Sequence, residues 1–228
     1  MPELPEAEVA ARQLRERVVG ATVRDCWIGR EDIVREGLPS LEQYRQAKIT
    51  GVERKGKSVI LHFLCGKEPR FLVAELGMTG LLLFRSTLTK HPQHTHFILH
   101  LDGCCEPDIR YWNPRRFGRL SLLDWAGLDR YVARRFGHDP LTISHEQFLR
   151  VLRATRSRLK SLLMRQQVIA GIGNIYANEI LFRSRLHPNQ PSNSIPGTST
   201  TRLHQVMGEV LRDAIARGGS SVRANFAP

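Results

Sequence analysis

The chain has 228 residues, of which 41% are hydrophobic and 25% are charged, as in an ordinary globular protein. This composition excludes wholesale disorder, a collagen-like chain and a coiled coil, and no apolar run approaches the ~18–20 residues of a membrane span. The length favours one large or two small domains. The acidic start has no apolar stretch typical of a secretory signal peptide, so we expect a cytoplasmic protein with no membrane partner.

The net charge of +12 is unevenly distributed along the sequence. Residues 110–165 carry 13 basic and 4 acidic side chains, whereas residues 1–109 carry 15 of each. Arginine outnumbers lysine 28 to 6, and guanidinium groups match phosphates bidentately and stack on bases. The pattern favours a nucleic-acid partner, with an acidic membrane surface second and a merely solvated basic face as the alternative.

The first half of the sequence predicts one helix followed by short strands. Pro5 suits a first helical turn, and Leu14 and Val18 repeat at helical spacing before Gly20. The strands that follow alternate with Gly-, Pro- and Asp-containing turns, a pattern typical of a sandwich or a barrel. The predicted strands are 21–30, 48–54, 58–64, 70–76, 81–85, 94–101, 109–112 and 119–123.

The second half predicts helices. Ser144 has the form of a capping box before Phe148, and apolar stripes follow at 159–168, 175–181 and 198–217. Strands followed by helices indicate an α+β chain with segregated domains. We predict an N-terminal β domain over 1–125, a hinge over 126–140 and a helical domain over 141–228. A basic cleft between the two domains is the expected ligand site.

The amino terminus offers a nucleophile. Removal of Met1 would expose Pro2 as a secondary amine, which can attack an aldehyde-like carbon and form a Schiff base. Glu3 and Glu6 lie beside it and could move protons to and from a sugar oxygen. The alternative is that Pro5 and the glutamates simply begin a helix.

Three further segments carry basic, flexible or aromatic residues. Lys57, in a basic turn before a strand, could hold a phosphate or simply be solvated. Met78, between two glycines, could fill the gap left by an extruded base or belong to the core. Arg115 and Phe117 lie on a loop bounded by proline and glycine, which suits insertion into a base stack, although a surface turn with a core phenylalanine is the alternative.

A Gly-x-Gly-Asn turn joins two of the helical stripes in the second half. Backbone N–H groups after this turn could bind a phosphate, with Asn174 and Lys160 assisting. The turn by itself is weak evidence, because it is too short and wrongly placed for a dinucleotide-binding fingerprint.

The cysteines predict neither a disulfide framework nor a zinc site. Cys104 and Cys105 are adjacent, and Cys26 and Cys65 are distant from them and from each other, so the sequence has no Cys-x-x-Cys pair. We expect reduced thiols.

Taken together and in this order, the motifs resemble the formamidopyrimidine-DNA glycosylase / endonuclease VIII family. The resemblance rests on the start Met-Pro-Glu-Leu-Pro-Glu-Ala-Glu, Lys57 before a strand, Leu-Gly-Met78-Thr-Gly, Asn-Pro-Arg115-Arg-Phe117-Gly and Gly171-Ile-Gly-Asn174-Ile-Tyr-Ala-Asn-Glu179. Leu4 favours the formamidopyrimidine branch. The implied fold is an N-terminal β-sandwich with a leading helix, followed by a helix–two-turn–helix domain.

The resemblance implies a base-excision repair glycosylase with AP lyase activity on oxidised purines, namely 8-oxoguanine and formamidopyrimidine. Pro2 would attack the anomeric carbon of an extruded nucleotide, displace the base and lead to β,δ-elimination. The implied catalytic residues are Pro2, Glu3, Glu6 and Lys57. The implied DNA contacts are Met78, Arg115, Phe117, Lys160, Asn174 and His94. The implied partner is double-stranded DNA with a damaged base or an abasic site, bound by a monomer.

The sequence departs from the family pattern at three points. Glu75 stands where many relatives have a phosphate-contacting histidine, and a carboxylate there would repel phosphate unless arginines offset it. Asn113 replaces the usual aspartate. The lesion-capping loop and the four-cysteine zinc finger that relatives carry after Gly218 are not found before Pro228. We therefore expect no zinc or other cofactor.

These departures leave alternatives to an active enzyme. One is a non-catalytic DNA- or damage-binding remnant that lacks the finger. The other alternative is a ribosomal or RNA-binding protein, because helix–two-turn–helix modules also occur in that class. The Pro2-Glu3 start argues against this alternative.

Overall fold

A helix, α1 (Leu4–Val18), begins the fold and packs one face against the strands that follow. The computed structural model describes residues 2–84 and 92–219. The helix starts where it does because Glu3 and Glu6 form a capping box and Pro5 occupies the first turn. The residues that α1 buries against the strands are Ala7, Ala10, Ala11, Leu14 and Val18.

The strands are hydrogen-bonded in the order β2-β9-β5-β4-β3-β1-β7-β8-β6. Their bounds are β1 Thr22–Ile28, β2 Val34–Glu36, β3 Lys48–Lys55, β4 Ser58–Cys65, β5 Glu68–Glu75, β6 Leu81–Phe84, β7 Thr95–Asp102, β8 Asp108–Trp112 and β9 Arg119–Leu123. β2 pairs with β9 in parallel, and the other neighbours pair antiparallel.

The sheet divides into two sections that enclose one core. β1 and β3 meet through their first residues, Thr22 and Lys48. Leu61 from one section and Phe97 and Tyr111 from the other belong to the same buried cluster. Two sections closed over a shared apolar core form a sandwich, so the predicted N-terminal β-sandwich is confirmed.

The predicted strands are present with ends within two residues of the observed ones. The predicted end of the fifth strand, Arg85, lies outside the described residues. β2 was not predicted, because it is three residues long and its exposed Arg35 and Glu36 do not alternate with apolar residues.

Helices follow the strands, as predicted for an α+β chain. They are α2 Trp125–Arg135, α3 His145–Arg153, α4 Leu159–Leu163, α5 Asn174–Ser184 and α6 Gly197–Ala216. The capping box predicted at Ser144 begins α3. Among the helices of the described residues, none is both long enough and apolar enough to cross a bilayer.

The stripe expected over 159–168 is helical only as far as Leu163. The side chain of Gln166 ends this helix: its amide donates to the carbonyl oxygens of Met164 and Ile172, and its oxygen accepts from the backbone nitrogen of Gly171. The Gln166 side chain thus forms hydrogen bonds with backbone groups that would otherwise be paired within a longer helix.

The segment predicted as a hinge, 126–140, is mostly helix α2. Asp124 caps this helix by accepting from the backbone nitrogen of Gly127 at 2.7 Å, and Leu128 and Tyr131 bury its inner face against β5 and β9. Leu128, Tyr131 and Val132 do follow helical spacing, but the segment was assigned to the connection between the two halves, which is why the helix was not predicted. The domain limits at 125 and 140 stay predictions.

Arg54 joins the N-terminal half to the segment after α2. Its side chain is 6% exposed, and its guanidinium forms ion pairs with Glu8 of α1, at 2.9 Å, and with Asp139. Leu4, at the start of α1, is buried in the helical core rather than in the sandwich core. The start of α1 therefore lies between the two halves of the molecule.

Candidate active site

The carboxylate of Glu3 is fully buried at the start of helix α5. Its Oε2 accepts from the backbone nitrogen of Gly173 at 2.6 Å, and its Oε1 accepts from that of Ile175 at 2.9 Å. The backbone nitrogen of Tyr176 approaches Oε2 at 3.4 Å. A helix amino terminus with unpaired N–H groups stabilises an anion, so α5 holds this carboxylate in place.

Gly173 allows two charged groups to approach one backbone position. A Cβ atom there would lie 2.4 Å from Cδ of Glu3 and 2.7 Å from Nζ of Lys57. Burial lowers the pKa of Lys57, while the carboxylates of Glu3 and Glu6 oppose that shift. The turn between β3 and β4 thus presents the Lys57 ammonium to the Glu3 carboxylate.

Glu6 completes the buried group at the start of α1. Its Oε2 accepts from the backbone nitrogen of Glu3 at 2.9 Å, and its Oε1 accepts from the hydroxyl of Tyr176 at 2.8 Å. The backbone nitrogen of Leu4 donates to the carbonyl of Gly171 at 3.0 Å. Pro2, also buried, directly precedes these contacts. Met1 lies outside the described residues.

A cavity of about 320 Å³ opens beside this group. Tyr176, which contacts Glu6, forms part of its wall together with Ile175. The rest of the lining comes from α5, α6 and the residues after α6: Glu179, Arg183, Val210, Ala214, Arg217 and Gly219. The site therefore combines buried carboxylates and an ammonium with an adjoining partly apolar cavity.

The loops that carry Met78 and Phe117 lie against each other. The hydroxyl of Thr79 donates to Oδ1 of Asn113 at 3.2 Å, and a Cβ on Gly77 would lie 2.5 Å from the backbone nitrogen of Gly118. Met78 is half-buried, whereas Phe117 is 55% exposed.

Arg115 is exposed on the same loop as Phe117, and its guanidinium lies over the phenylalanine ring, 5.1 Å from the centroid. An arginine stacked on an exposed aromatic ring presents both charge and a flat apolar face to a ligand.

The remaining predicted contacts lie on separate elements. Asn174 is exposed as the first residue of α5, next to the Glu3 carboxylate. Lys160 lies on α4, where its backbone nitrogen donates to the carbonyl of Pro188 at 3.0 Å. His94 immediately precedes β7, with its ring 6.1 Å from that of Trp112.

Glu75 is paired with arginines. Its Oε1 accepts from Arg135 at 2.9 Å, from Arg35 at 3.2 Å and from the hydroxyl of Tyr131 at 2.8 Å. A carboxylate at this position was expected to need such an offset, but the sequence carries no signal for its partners, which are distant in the chain. Burial raises the pKa of Tyr131, with Glu75 adding to the shift, so the hydroxyl stays protonated as a donor.

The described residues do not fit a zinc site. Within 2–84 and 92–219, no three His, Cys, Asp or Glu side chains are grouped closely enough to hold a metal ion. Burial raises the pKa of Cys26 to about 12 and also raises the pKa of Cys65 and of Cys104. Zinc binds the thiolate form, which these surroundings disfavour.

Sequence reasoning missed several residues that build this site. Tyr176 belongs to a segment that carries the family resemblance, but spacing alone gives no signal that its hydroxyl contacts Glu6. Gln166 and Arg54 shape the turn before α5 and the junction with α1, and both act through contacts between distant segments.

Two family models match the sequence. One, described as the formamidopyrimidine-DNA glycosylase N-terminal domain, matches residues 1–120, and the other, described as the H2TH domain of the same glycosylase, matches residues 136–225. Among curated relatives, the formamidopyrimidine-DNA glycosylase of Thermomicrobium roseum is 36% identical over 239 residues, which covers 98% of this chain and 81% of that protein. The Thermus thermophilus protein of the same name is 37% identical over 227 residues and covers 97% and 79%.

Solved structures agree with these matches. The structure of Lactococcus lactis Fpg (MutM) in complex with DNA containing N7-benzyl-Fapy-dG superposes with a TM-score of 0.87 at 28% identity, covering 99% of this chain and 83% of that one. The MutM (Fpg) structure from Thermus thermophilus superposes with a TM-score of 0.81 at 35% identity, covering 96% and 78%.

Proposed function

The chain belongs to the formamidopyrimidine-DNA glycosylase family, and from that premise we propose that it is a base-excision repair glycosylase with AP lyase activity. Its proposed substrate is double-stranded DNA that carries an oxidised purine, 8-oxoguanine or formamidopyrimidine, or an abasic site. The observation that carries the proposal is the buried Glu3 carboxylate, held at the amino terminus of α5 close to the Lys57 ammonium.

The proposed nucleophile is the secondary amine of Pro2 after removal of Met1. An α-amino group titrates near ~7.7–8.0, so part of it is neutral and nucleophilic at cellular pH. Its nitrogen attacks the anomeric carbon, the bond from that carbon to the base breaks, and the base leaves with the proton that the attacking amine loses. Ring opening then gives an iminium between Pro2 and the sugar.

The carboxylates and Lys57 match the charge changes of these steps. Glu3, which accepts backbone hydrogen bonds from Gly173 and Ile175, stabilises the cationic iminium and supports opening of the sugar ring. Elimination of the 3′ phosphate and then of the 5′ phosphate completes strand cleavage, and addition of water to the iminium carbon frees Pro2. Glu6 holds the start of α1 in place, and Lys57 contacts a phosphate beside the reacting sugar.

Chemistry on a base requires that the nucleotide leave the stack. The cavity beside Tyr176 is the proposed place for the extruded base, because it adjoins the buried carboxylates. Met78, Arg115 and Phe117 fill the resulting gap in the duplex. Their two loops are joined, so they can enter together.

Phosphate contacts by Lys160, Asn174 and His94 would orient the duplex on the surface around these loops. The protein would act as a monomer in the cytoplasm, as a repair enzyme of bacterial type.

Borohydride trapping tests the proposal. We would use one duplex with an abasic site and one with 8-oxoguanine opposite cytosine, together with Pro2→Gly. Pro5→Ala is the matched control, because it changes a nearby proline, in the first turn of α1, that is not the proposed nucleophile. We expect an adduct with both duplexes, its loss in Pro2→Gly and its retention in Pro5→Ala.

The other outcomes separate the remaining hypotheses. An adduct with the abasic duplex alone would mean a lyase that does not excise the base. A bound duplex without any adduct, from protein shown by intact mass to lack Met1, would mean the non-catalytic DNA-binding alternative. Trapping that persists in Pro2→Gly would remove Pro2 from the mechanism.

A further inference from the structure

Glu75 organises a second charged cluster, distinct from the carboxylates at the start of α1. One of its oxygens, Oε1, accepts from the guanidinium groups of Arg35 and Arg135 and from the hydroxyl of Tyr131. The cluster holds two guanidinium groups and one carboxylate. Glu75 reduces the positive charge here without cancelling it.

Of the two guanidinium groups of this cluster, that of Arg135 lines the cleft between the two halves of the molecule. A cavity of about 290 Å³ there is bounded by Arg135 and Glu75 on one side and by Lys57 on another. Gln166 and Gln167, from the turn before α5, close it from the helical half. The cavity thus adjoins Lys57, which also borders the Glu3 carboxylate.

The position of the Arg135 guanidinium is fixed by its neighbours. It pairs with Glu75 at 2.9 Å and lies over the ring of Tyr131, 4.7 Å from the centroid. A guanidinium carries five N–H donors, and a planar group held by a carboxylate and an aromatic ring loses little further freedom when it binds an oxyanion. About a third of the side chain is exposed, so a ligand in the cleft can reach it.

We propose that Arg135 binds a backbone phosphate of DNA in this cleft, with Glu75 and Tyr131 as the residues that position its guanidinium. The inference rests on the proposed function, because it assumes that DNA enters the cleft. It adds a phosphate contact from α2, a helix that supplies no DNA contact in the proposed function. It also gives Glu75 a role: the carboxylate orients an arginine and does not face the phosphate alone.

The test is the salt dependence of binding to a duplex that carries a tetrahydrofuran abasic-site analogue. Arg135→Gln removes the charge, and Arg134→Gln is the matched control, because Arg134 is the neighbouring, exposed arginine of the same helix. We expect Arg135→Gln to weaken binding roughly tenfold to a hundredfold, as for loss of one charged hydrogen-bonding contact. The slope of log K against log salt should fall in magnitude by about 0.9, the value for one phosphate.

A double variant separates this role from an indirect one. If Arg135→Gln weakened binding only by leaving Glu75 to repel phosphate, Glu75→Gln/Arg135→Gln would restore both affinity and slope. We expect the double variant to stay weakened and to keep the reduced slope, with thermal unfolding confirming that it is folded.

Two results would overturn the inference. One is full recovery in the double variant, and the other is an Arg135→Gln variant that matches Arg134→Gln in affinity and slope. In both cases, wild-type binding and trapping would leave the proposed function intact. Absence of wild-type binding to the duplex would reject the proposed function together with the inference.

Discussion

The carboxylate of Glu3 accepts a hydrogen bond at 2.6 Å from the backbone nitrogen of Gly173, a residue 170 positions further along the chain. Glu3 belongs to the first turn of the chain, and Gly173 belongs to the helical half. The candidate site is therefore complete only when both halves are folded and docked. A variant that disrupts the contact between Glu3 and Gly173 from either side should therefore lower both the activity and the free energy of unfolding.

Gly173→Ala should disrupt the site directly. The added methyl group would lie 2.4 Å from Cδ of Glu3, so the carboxylate or α5 must move. We expect covalent trapping to fall about a hundredfold, as for a misplacement of about 1 Å, and the free energy of unfolding to fall by about 1–3 kcal/mol. Trapping assays and urea unfolding measure the two effects.

Gly197→Ala is the matched control for that variant. Gly197 begins α6, and a Cβ there meets nothing within 4 Å. Alanine at such a position should leave trapping unchanged and should raise the free energy of unfolding by up to about 1 kcal/mol. If Gly173→Ala behaved like Gly197→Ala, the close approach of Glu3 and Lys57 to α5 would be irrelevant to activity.

Arg54→Met should destabilise the fold strongly. Arg54 is 6% exposed and pairs with Glu8 and Asp139, so its removal leaves two carboxylates without their buried partner. We expect a loss of about 3–5 kcal/mol in the free energy of unfolding. Arg12→Met is the control, because Arg12 pairs with the same Glu8 but is 55% exposed, and we expect a loss below about 1 kcal/mol. Equal losses in urea unfolding would contradict the prediction.

Glu8→Gln should flatten the acid limb of the stability curve. Burial raises the pKa of Glu8, but hydrogen bonds and charge pairing with Arg12 and Arg54 outweigh burial and hold its pKa below the ordinary value. A pKa lowered in the folded state stabilises the fold above the pKa of the unfolded chain. That contribution is lost in the acidic window that begins near the ordinary glutamate pKa of ~4.3 and ends below the lowered pKa of the folded state.

The measurement is the free energy of unfolding at a series of pH values for both proteins. The difference between wild type and Glu8→Gln should shrink as the pH falls through that window. Glu146→Gln, which removes an exposed partner of Arg150, should keep the wild-type profile. A constant difference between Glu8→Gln and wild type at every pH would show that Glu8 does not titrate differently in the folded state.

The parts of the fold that were predicted depend on local patterns. Pro5 and a helical stripe indicate α1, and alternation between turns indicates most of the strands. β2 was not predicted because it is three residues long, and α2 was not predicted because its segment was assigned to the connection between the two halves. Their positions come from packing on β9, which is distant from β2 in the sequence.

The residues of the candidate site were likewise predicted where a local motif marks them and not where they depend on contacts between distant segments. Glu3, Glu6 and Lys57 were predicted because their motifs carry the family resemblance. The partners of Glu75 were not, because Arg35 is 40 residues before it and Tyr131 is 56 residues after it. The spacing of residues along the chain gives no signal for such contacts, because only the tertiary fold brings their partners together.

Phe117→Ala should separate base excision from strand cleavage. Phe117 is 55% exposed and supports the Arg115 guanidinium, so its truncation should leave the free energy of unfolding within about 0.5 kcal/mol of wild type. Excision of 8-oxoguanine from a duplex requires extrusion and should fall at least about tenfold, while cleavage of a single-stranded abasic substrate should be unchanged, because no stack has to be opened. Phe182→Ala removes a more exposed phenylalanine, 82% exposed, on α5 and should leave both rates unchanged. Equal losses on the duplex and the single strand would show that Phe117 does not act in extrusion.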